Sequence, residues 1–127
     1  MKDFILESQN GTYITPAVRF IAETGVCEIS GESFLEETAK FYAPVAEWLK
    51  NYTISENKTL IFSIKLTYFN TSTSKWILNI LNILKDYEQD GNNLIVNWYY
   101  DEDDVDMQDD IEDYELDSGL TINKIKF

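Results

Sequence analysis

Two stretches that alternate with a period of two, separated by a helical pattern, most constrain how this chain can fold. From Thr59 to Phe69, apolar and polar residues alternate, which predicts a strand with one buried face. Leu94 to Tyr100 alternates in the same way. Between them, Trp76 to Tyr87 repeats apolar residues every three or four positions, as an amphipathic helix does. A strand–helix–strand unit of this kind joins parallel neighbours by a right-handed crossover.

The flanking segments extend this unit into a complete small domain. Pro16–Ala22 and Val26–Ser30 read as a hairpin, and Phe41–Tyr52 shows helical spacing. Met107–Tyr114 fits a short helix, and Leu120–Phe127 has strand-like composition. We therefore expect one α/β domain over residues 1–127. It should have a small mixed β-sheet, made of the N-terminal hairpin plus parallel strands, with helices packed on one face.

Composition excludes several kinds of chemistry. The 127 residues contain no histidine and one cysteine, so Ser-His and Cys-His nucleophile pairs and structural zinc are ruled out. We expect no metal and no cofactor. Cys27 has no partner for an internal disulfide, and the N-terminus does not resemble a secretory signal, which favours a cytoplasmic location.

The negative charge of the chain is concentrated in one segment. The formal net charge is −13, and Asp101–Asp117 alone holds eleven acids and no base. The rest of the chain is close to neutral. Because no basic patch offsets this charge, we expect neither nucleic acid nor an anionic membrane as a partner.

The acidic segment also resembles, in part, a calcium-binding loop. Asp101, Asp103 and Glu112 match the first, third and twelfth positions of that pattern. However, Val105 stands at the fifth position and Asp106 replaces the glycine at the sixth. A solvated acidic helix face, able to steer a basic partner, fits the residues better.

Four consecutive hydroxyl residues open the central helix. The segment runs Asn70, Thr71, Ser72, Thr73, Ser74, Lys75. One side chain here is expected to cap the helix by accepting a backbone N–H. The helix start also favours a negative charge, so an exposed hydroxyl could carry a phosphate, with Lys75 one turn on to pair with it. The residue types leave both interpretations open.

Strand alternation also predicts which aromatic residues face outward. It places Tyr68 on the buried side of its strand, and it places Phe69 and Tyr99 on the outward register. An exposed aromatic next to the acidic segment marks a candidate partner surface. We assign that surface to Phe69, Tyr99, Asp101 and Asp103.

Several segments together resemble the SiaC family of bacterial regulatory phosphoproteins. They are Thr15–Val18, Ile29–Ser33, Phe41–Leu49, Tyr68–Lys75 and Val96–Asp104, in this order and spacing. The match covers nearly the whole chain, and Tyr-Phe-Asn-Thr-Ser and Asn-Trp-Tyr-Tyr-Asp are its most specific parts. The resemblance implies a fold like that of anti-sigma-factor antagonists of the STAS type, with a phosphorylatable hydroxyl at the start of the helix after a central strand.

The resemblance also implies a function and a set of partners. It places phosphorylation on the threonine after the asparagine, which here is Thr71. A Ser/Thr kinase would add the phosphate, a metal-dependent phosphatase of the PP2C type would remove it, and the unmodified form would activate a diguanylate cyclase that makes cyclic di-GMP. Two alternatives remain: a constitutive acidic protein-binding adaptor whose hydroxyls only cap the helix, and a small enzyme that uses converging carboxylates.

Overall fold

The computed structural model describes residues 1–56 and 58–127. Eight strands and three helices follow one another in these residues. In chain order they are β1 (Phe4–Leu6), β2 (Gln9–Asn10), β3 (Ile14–Thr15), β4 (Ala17–Ile21), β5 (Val26–Ser33), α1 (Thr38–Ser55), β6 (Leu60–Phe69), α2 (Thr71–Gln89), β7 (Leu94–Tyr100), α3 (Val105–Ser118) and β8 (Asn123–Lys126).

Six of the strands form one mixed sheet in the order β1-β4-β5-β6-β7-β8. The pairs β1–β4 and β4–β5 are antiparallel, whereas β5–β6, β6–β7 and β7–β8 are parallel. The predicted hairpin and the predicted parallel crossovers are therefore confirmed. β2 and β3 pair separately as a small second sheet.

All three helices lie on the same face of the six-stranded sheet. Strand register places Phe20, Cys27, Phe62 and Val96 in one row on that face. Phe20 contacts Trp48 of α1, with ring centroids 5.3 Å apart, and Trp98 stacks on Tyr114 of α3. α2 lies between the other two helices and contacts both. The fold class predicted from the sequence is confirmed.

The opposite face of the sheet is polar along its middle. Arg19, Glu28, Ser63 and Asn97 follow one another across four strands, and Lys65 pairs with Glu28 at 2.6 Å. Within residues 1–56 and 58–127, no helix is long and apolar enough to cross a bilayer.

The predicted orientation of the residues at the end of β6 is wrong. Gly31 of β5 pairs with Leu66, but Glu32 pairs with Tyr68, so Thr67 is an extra residue in β6. A bulge of this kind reverses which face the following side chains occupy. Tyr68, predicted inward, is 49% exposed, whereas Phe69, predicted outward, is partly buried against Trp98.

The sequence pattern also missed the first strand. β1 contains only three residues, with one partly buried position, and it is held at the sheet edge by pairing with β4. Trp48 Nε1 donates to the Lys2 carbonyl and Asp3 Oδ1 accepts from the Ala22 N–H, which fix the preceding residues. These are contacts between distant parts of the chain, and a local pattern does not report them.

Candidate functional site: a hydroxyl-rich helix start

Asn70 caps α2 and ties its first turn to the neighbouring strand. Its side-chain oxygen accepts from the Thr73 backbone N–H at 3.2 Å, the usual geometry of an N-cap. Its side-chain amide donates to the Leu35 carbonyl at 2.8 Å, and its backbone N–H donates to the Ser33 carbonyl at 3.0 Å. The start of α2 is thus fixed to the carboxyl end of β5.

Thr73 is fully buried beneath this cap and belongs to a chain of hydroxyl groups. Its hydroxyl donates to the Asn70 side-chain oxygen at 2.6 Å. Because that uses its only proton, it accepts from the Ser33 hydroxyl at 2.9 Å, which in turn accepts from the Tyr42 phenol at 2.7 Å. Burial is the main cause that raises the pKa of Tyr42 to about 12, so this phenol keeps its proton.

Ser72 and Ser74 are also engaged. Ser72 Oγ lies 2.6 Å from Thr38 Oγ1, which links the starts of α1 and α2, and it donates to the Asn70 side-chain oxygen at 3.3 Å. Ser74 Oγ donates to the Thr71 carbonyl at 2.6 Å. Three of the four hydroxyl side chains therefore hold the structure of the helix start.

Thr71 differs from these three. It is the first residue of α2 and is exposed. Among the described residues, its hydroxyl has no hydrogen-bond partner, and the N–H groups of Thr71 and Ser72 have none either. A free hydroxyl thus lies beside two free backbone donors at the positive end of a helix dipole. This arrangement accepts an anion without breaking an existing bond.

Lys75 lies one turn after Thr71 and is exposed. It lines a shallow cavity of about 260 Å³ between α2 and α3, together with the acidic residues Asp110, Asp113 and Asp117. In this cavity wall Tyr114 donates its phenol proton to the Ser74 carbonyl at 3.1 Å. Burial, followed by the charge of Asp110, raises the pKa of Tyr114, so the phenol remains a donor.

The acidic residues after β7 surround a second cavity. Asp101, Asp103 and Asp104 line a cleft of about 420 Å³ with Leu66, Thr67 and Phe127. Asp104 caps α3 by accepting the Met107 N–H at 3.0 Å, and Asp101 accepts the Asp103 N–H at 2.9 Å. Within the described residues, no group of three or more acidic or cysteine side chains is arranged to hold a metal ion.

The other two residues assigned to a partner surface occupy different positions. Tyr99 lies on the sheet face opposite the helices, where the Lys65 ammonium sits 4.7 Å from its ring centroid. Phe69 lies on the helix side, 6.2 Å from Tyr114 between ring centroids. The structure therefore does not bring Phe69, Tyr99 and the aspartates together on one surface.

The residues that sequence reasoning missed are those that hold the hydroxyl cluster in place. Ser33 and Tyr42 are separated from Thr73 by 40 and 31 positions, and Thr38 is 34 positions from Ser72. No local pattern connects these pairs. The one available signal is the polar Ser33, which lies beyond the predicted end of the strand at Ser30.

A comparison with protein families identifies the chain. The model of the SiaC family regulatory phosphoproteins matches residues 9–127. The chain belongs to the SiaC family. A curated relative, an uncharacterized protein of Pseudomonas aeruginosa strain UCBPP-PA14, is 29% identical over 91 residues, which is 72% of each chain.

Solved SiaC structures share the fold. SiaC of Pseudomonas aeruginosa superposes with a TM-score of 0.89 at 22% identity, over 100% of both chains. Its apo form gives a TM-score of 0.87 at 24% identity, covering 98% of this chain and 99% of that one. A third match, with a TM-score of 0.86 and 23% identity, covers 96% of this chain and 100% of the other. It comes from the crystal structure of the diguanylate cyclase SiaD in complex with its activator SiaC from the same organism.

Proposed function

We propose that the protein is a non-enzymatic phosphorylation switch that controls a diguanylate cyclase. In this proposal a Ser/Thr kinase phosphorylates Thr71 and a PP2C-type phosphatase removes the phosphate. The unmodified form binds and activates the cyclase. The observation that carries the proposal is the free, exposed hydroxyl of Thr71 beside three engaged neighbours. The SiaC–SiaD complex supports the choice of effector.

The charge and hydration of a phosphate explain how it would switch binding. Unmodified Thr71 presents a small neutral surface that a partner can cover. A phosphate adds roughly −1.5 to −2 charges and a hydration shell, and burying it without a basic partner is costly. Modification should therefore break an interface that covers Thr71.

The free protein should tolerate the same phosphate well. The N–H groups of Thr71 and Ser72 lie at the start of α2, where the helix dipole favours an anion. Lys75, four residues on, lies on the same side of α2 and is exposed. The modified state would thus be stable alone and unfavourable only in the complex.

The two alternatives have less support. In the adaptor alternative the hydroxyls act only as caps, but the cap is Asn70 and the Thr71 hydroxyl takes no part in it. An enzyme would need carboxylates that converge in a deep pocket, whereas the cavity lined by Asp110, Asp113 and Asp117 is shallow. In the cleft after β7, Asp101 and Asp104 instead accept backbone N–H groups that shape the turn before α3.

The site assignment is tested by mapping the modification. After co-expression with the cognate kinase, intact mass should increase by one phosphate, and tandem mass spectrometry should place it on Thr71. The Thr71→Ala variant should remain unmodified. A phosphate found mainly on Ser72, Thr73 or Ser74 would contradict the assignment.

The switch itself is tested by measuring binding. Thr71→Ala should bind the cyclase as wild type does, because it removes a hydroxyl that makes no bond. Thr71→Glu should weaken binding only partly, since glutamate has one charge and two acceptor oxygens, fewer than phosphate. Calorimetric titration against the cyclase measures both. If Thr71→Glu binds like wild type while Thr71→Ala does not, the switch model is wrong.

A further inference from the structure

Three aromatic rings form an exposed patch at the carboxyl end of the sheet. Tyr13, Phe34 and Tyr68, hereafter the aromatic patch, are 41%, 38% and 49% exposed. The Tyr13 and Phe34 ring centroids are 5.6 Å apart, and those of Phe34 and Tyr68 are 6.4 Å apart. Adjoining exposed rings of this kind are typical of interaction sites, whereas scattered single apolar residues are not.

The aromatic patch lies next to the start of α2. Phe34 stands between Ser33 and Leu35, whose two carbonyls both accept hydrogen bonds from Asn70. Tyr68 precedes Asn70 by two residues and faces outward because of the extra residue in β6. The aromatic patch and Thr71 therefore lie at the same end of β5 and β6, where one partner can reach both.

Acidic groups border the aromatic patch on two sides. Thr67, adjacent to Tyr68, lines the cleft that contains Asp101, Asp103 and Asp104. On the other side, Glu36 lines a cavity together with Tyr13, and its carboxylate is the main cause that raises the pKa of Tyr13. A complementary surface would combine an apolar socket with basic residues at its rim.

We propose that the aromatic patch anchors the effector cyclase, with Phe34 and Tyr68 entering an apolar socket bordered by lysine or arginine side chains. This inference rests on the proposed function, because it names the surface through which the unmodified protein holds the cyclase. A second copy of the chain fits the patch less well. Each copy carries a net charge of −13, and pairing two patches would bring their acidic borders together.

The test compares matched exposed positions. Phe34→Ser and Tyr68→Ser remove anchor rings, whereas Ile95→Ser removes a side chain of similar exposure, 41%, near the start of β7 at the other end of the sheet. Tyr68→Phe keeps the ring. The probe is each diguanylate cyclase of the source organism, purified separately and titrated by calorimetry, with thermal melts to verify folding.

We expect Phe34→Ser and Tyr68→Ser to weaken binding by on the order of 30-fold each, the size typical of a hot-spot residue. Ile95→Ser and Tyr68→Phe should bind as wild type. Raising the salt concentration should weaken wild-type binding, because the acidic border is screened.

The possible failures are distinguishable. If both serine variants bind like wild type while Thr71→Glu does not, the anchor is wrong and the switch stands. If Thr71→Glu binds like wild type but the serine variants do not, the anchor stands and the switch is wrong. If no cyclase binds the wild-type chain, both fail. A dimer of the chain alone that Phe34→Ser dissociates would assign the patch to self-association and overturn the anchor.

Discussion

The starts of α2 and α3 are built alike but differ in charge. Each helix follows a parallel strand, and each is capped by a side-chain oxygen three residues before the N–H it accepts. Asn70 accepts from Thr73 at 3.2 Å, and Asp104 accepts from Met107 at 3.0 Å. The first turn of α2 contains no acid, whereas α3 has Asp104 as its cap and Asp106 in its first turn.

The difference shows why only one of the two helix starts suits a phosphate. At α3, carboxylates already occupy the positive end of the dipole, so a further anion would be repelled. At α2, a neutral amide makes the cap and leaves that end of the dipole for a charge added later. The choice of asparagine instead of aspartate at position 70 thus favours a switch.

The largest expected effect is on stability, because the Asn70 side chain makes several hydrogen bonds whereas the Asp104 side chain accepts one. Asn70→Ala should lower the free energy of unfolding by about 3 kcal/mol. Loss of the cap costs about 1 kcal/mol, and the buried Thr73 hydroxyl loses its acceptor, which costs a further 1–3 kcal/mol or so. Asp104→Ala should cost about 1 kcal/mol or less, because its carboxylate holds only one N–H and repels neighbouring acids. Urea denaturation measures both.

Asn70→Asp is the control for this comparison. It keeps the acceptor oxygen but loses the bond to the Leu35 carbonyl, so it should be less destabilising than Asn70→Ala. Equal costs for Asn70→Ala and Asp104→Ala would show that the hydroxyl chain beneath Asn70 adds little to stability.

A smaller effect on the free energy of unfolding is expected when the same negative charge is placed at each of the two helix starts. Thr71 and Val105 are both the first residue of their helix, and both are exposed. Thr71→Glu should raise the free energy of unfolding by about 0.3–1 kcal/mol relative to Thr71→Gln, as an anion does near a helix N-terminus. Val105→Glu should give no gain over Val105→Gln, because Asp104 and Asp106 flank it.

Chemical denaturation at low ionic strength measures these four variants. The gain at position 71 should shrink at about 0.5 M salt, where the screening length falls to a few ångströms. An equal gain at position 105 would mean that the acidic environment does not distinguish the two helix starts.

The smallest effect concerns the acidic face of α3. Burial, followed by the charges of Asp113 and Asp106, raises the pKa of Asp110. The native carboxyl therefore holds its proton more tightly than the unfolded chain does, so ionising it destabilises the native state. This penalty is present above the native pKa and disappears as the pH falls below the unfolded pKa of about 3.9.

Asp110→Asn should accordingly raise the free energy of unfolding at pH 7 by a few tenths of a kcal/mol, the size of like-charge pairs one helical turn apart. The gain should fade as the pH drops through the native pKa toward about 4. Thermal melts across that range provide the measurement. A gain that persists unchanged at pH 3 would rule out a charge effect.

The sequence predicts the long elements of this fold well because each of them has a strong period, whereas the short strand β1 has none. The alternation in β6 and β7 and the helical spacing in α2 identify the central unit. Prediction fails where a single residue breaks the period. Thr67 is an ordinary strand residue by type, and nothing local marks it as the extra residue that reverses Tyr68 and Phe69.

The site was predicted only in part for a related reason. The run Asn70–Lys75 indicated a capped, hydroxyl-rich helix start, but not which hydroxyl stays free. That depends on Ser33, which bonds Thr73 across 40 positions, and on Thr38, which bonds Ser72 across 34 positions, while Tyr42 bonds Ser33. Such pairings exist only once the strands and helices are packed, so residue type alone does not reveal them.

The hydroxyl chain under Asn70 also makes the chemistry of the site depend on folding. In an unfolded or nascent chain, Thr71, Ser72, Thr73 and Ser74 are all equally accessible to a kinase. Only the folded molecule engages three of these hydroxyls, because the bonds of Ser72 and Thr73 need β5, α1 and α2 in place and the Ser74 bond needs the first turn of α2. Phosphate spread over several of these positions would therefore indicate chains that were modified before folding was complete. Phosphate at a single position would indicate that folding came first.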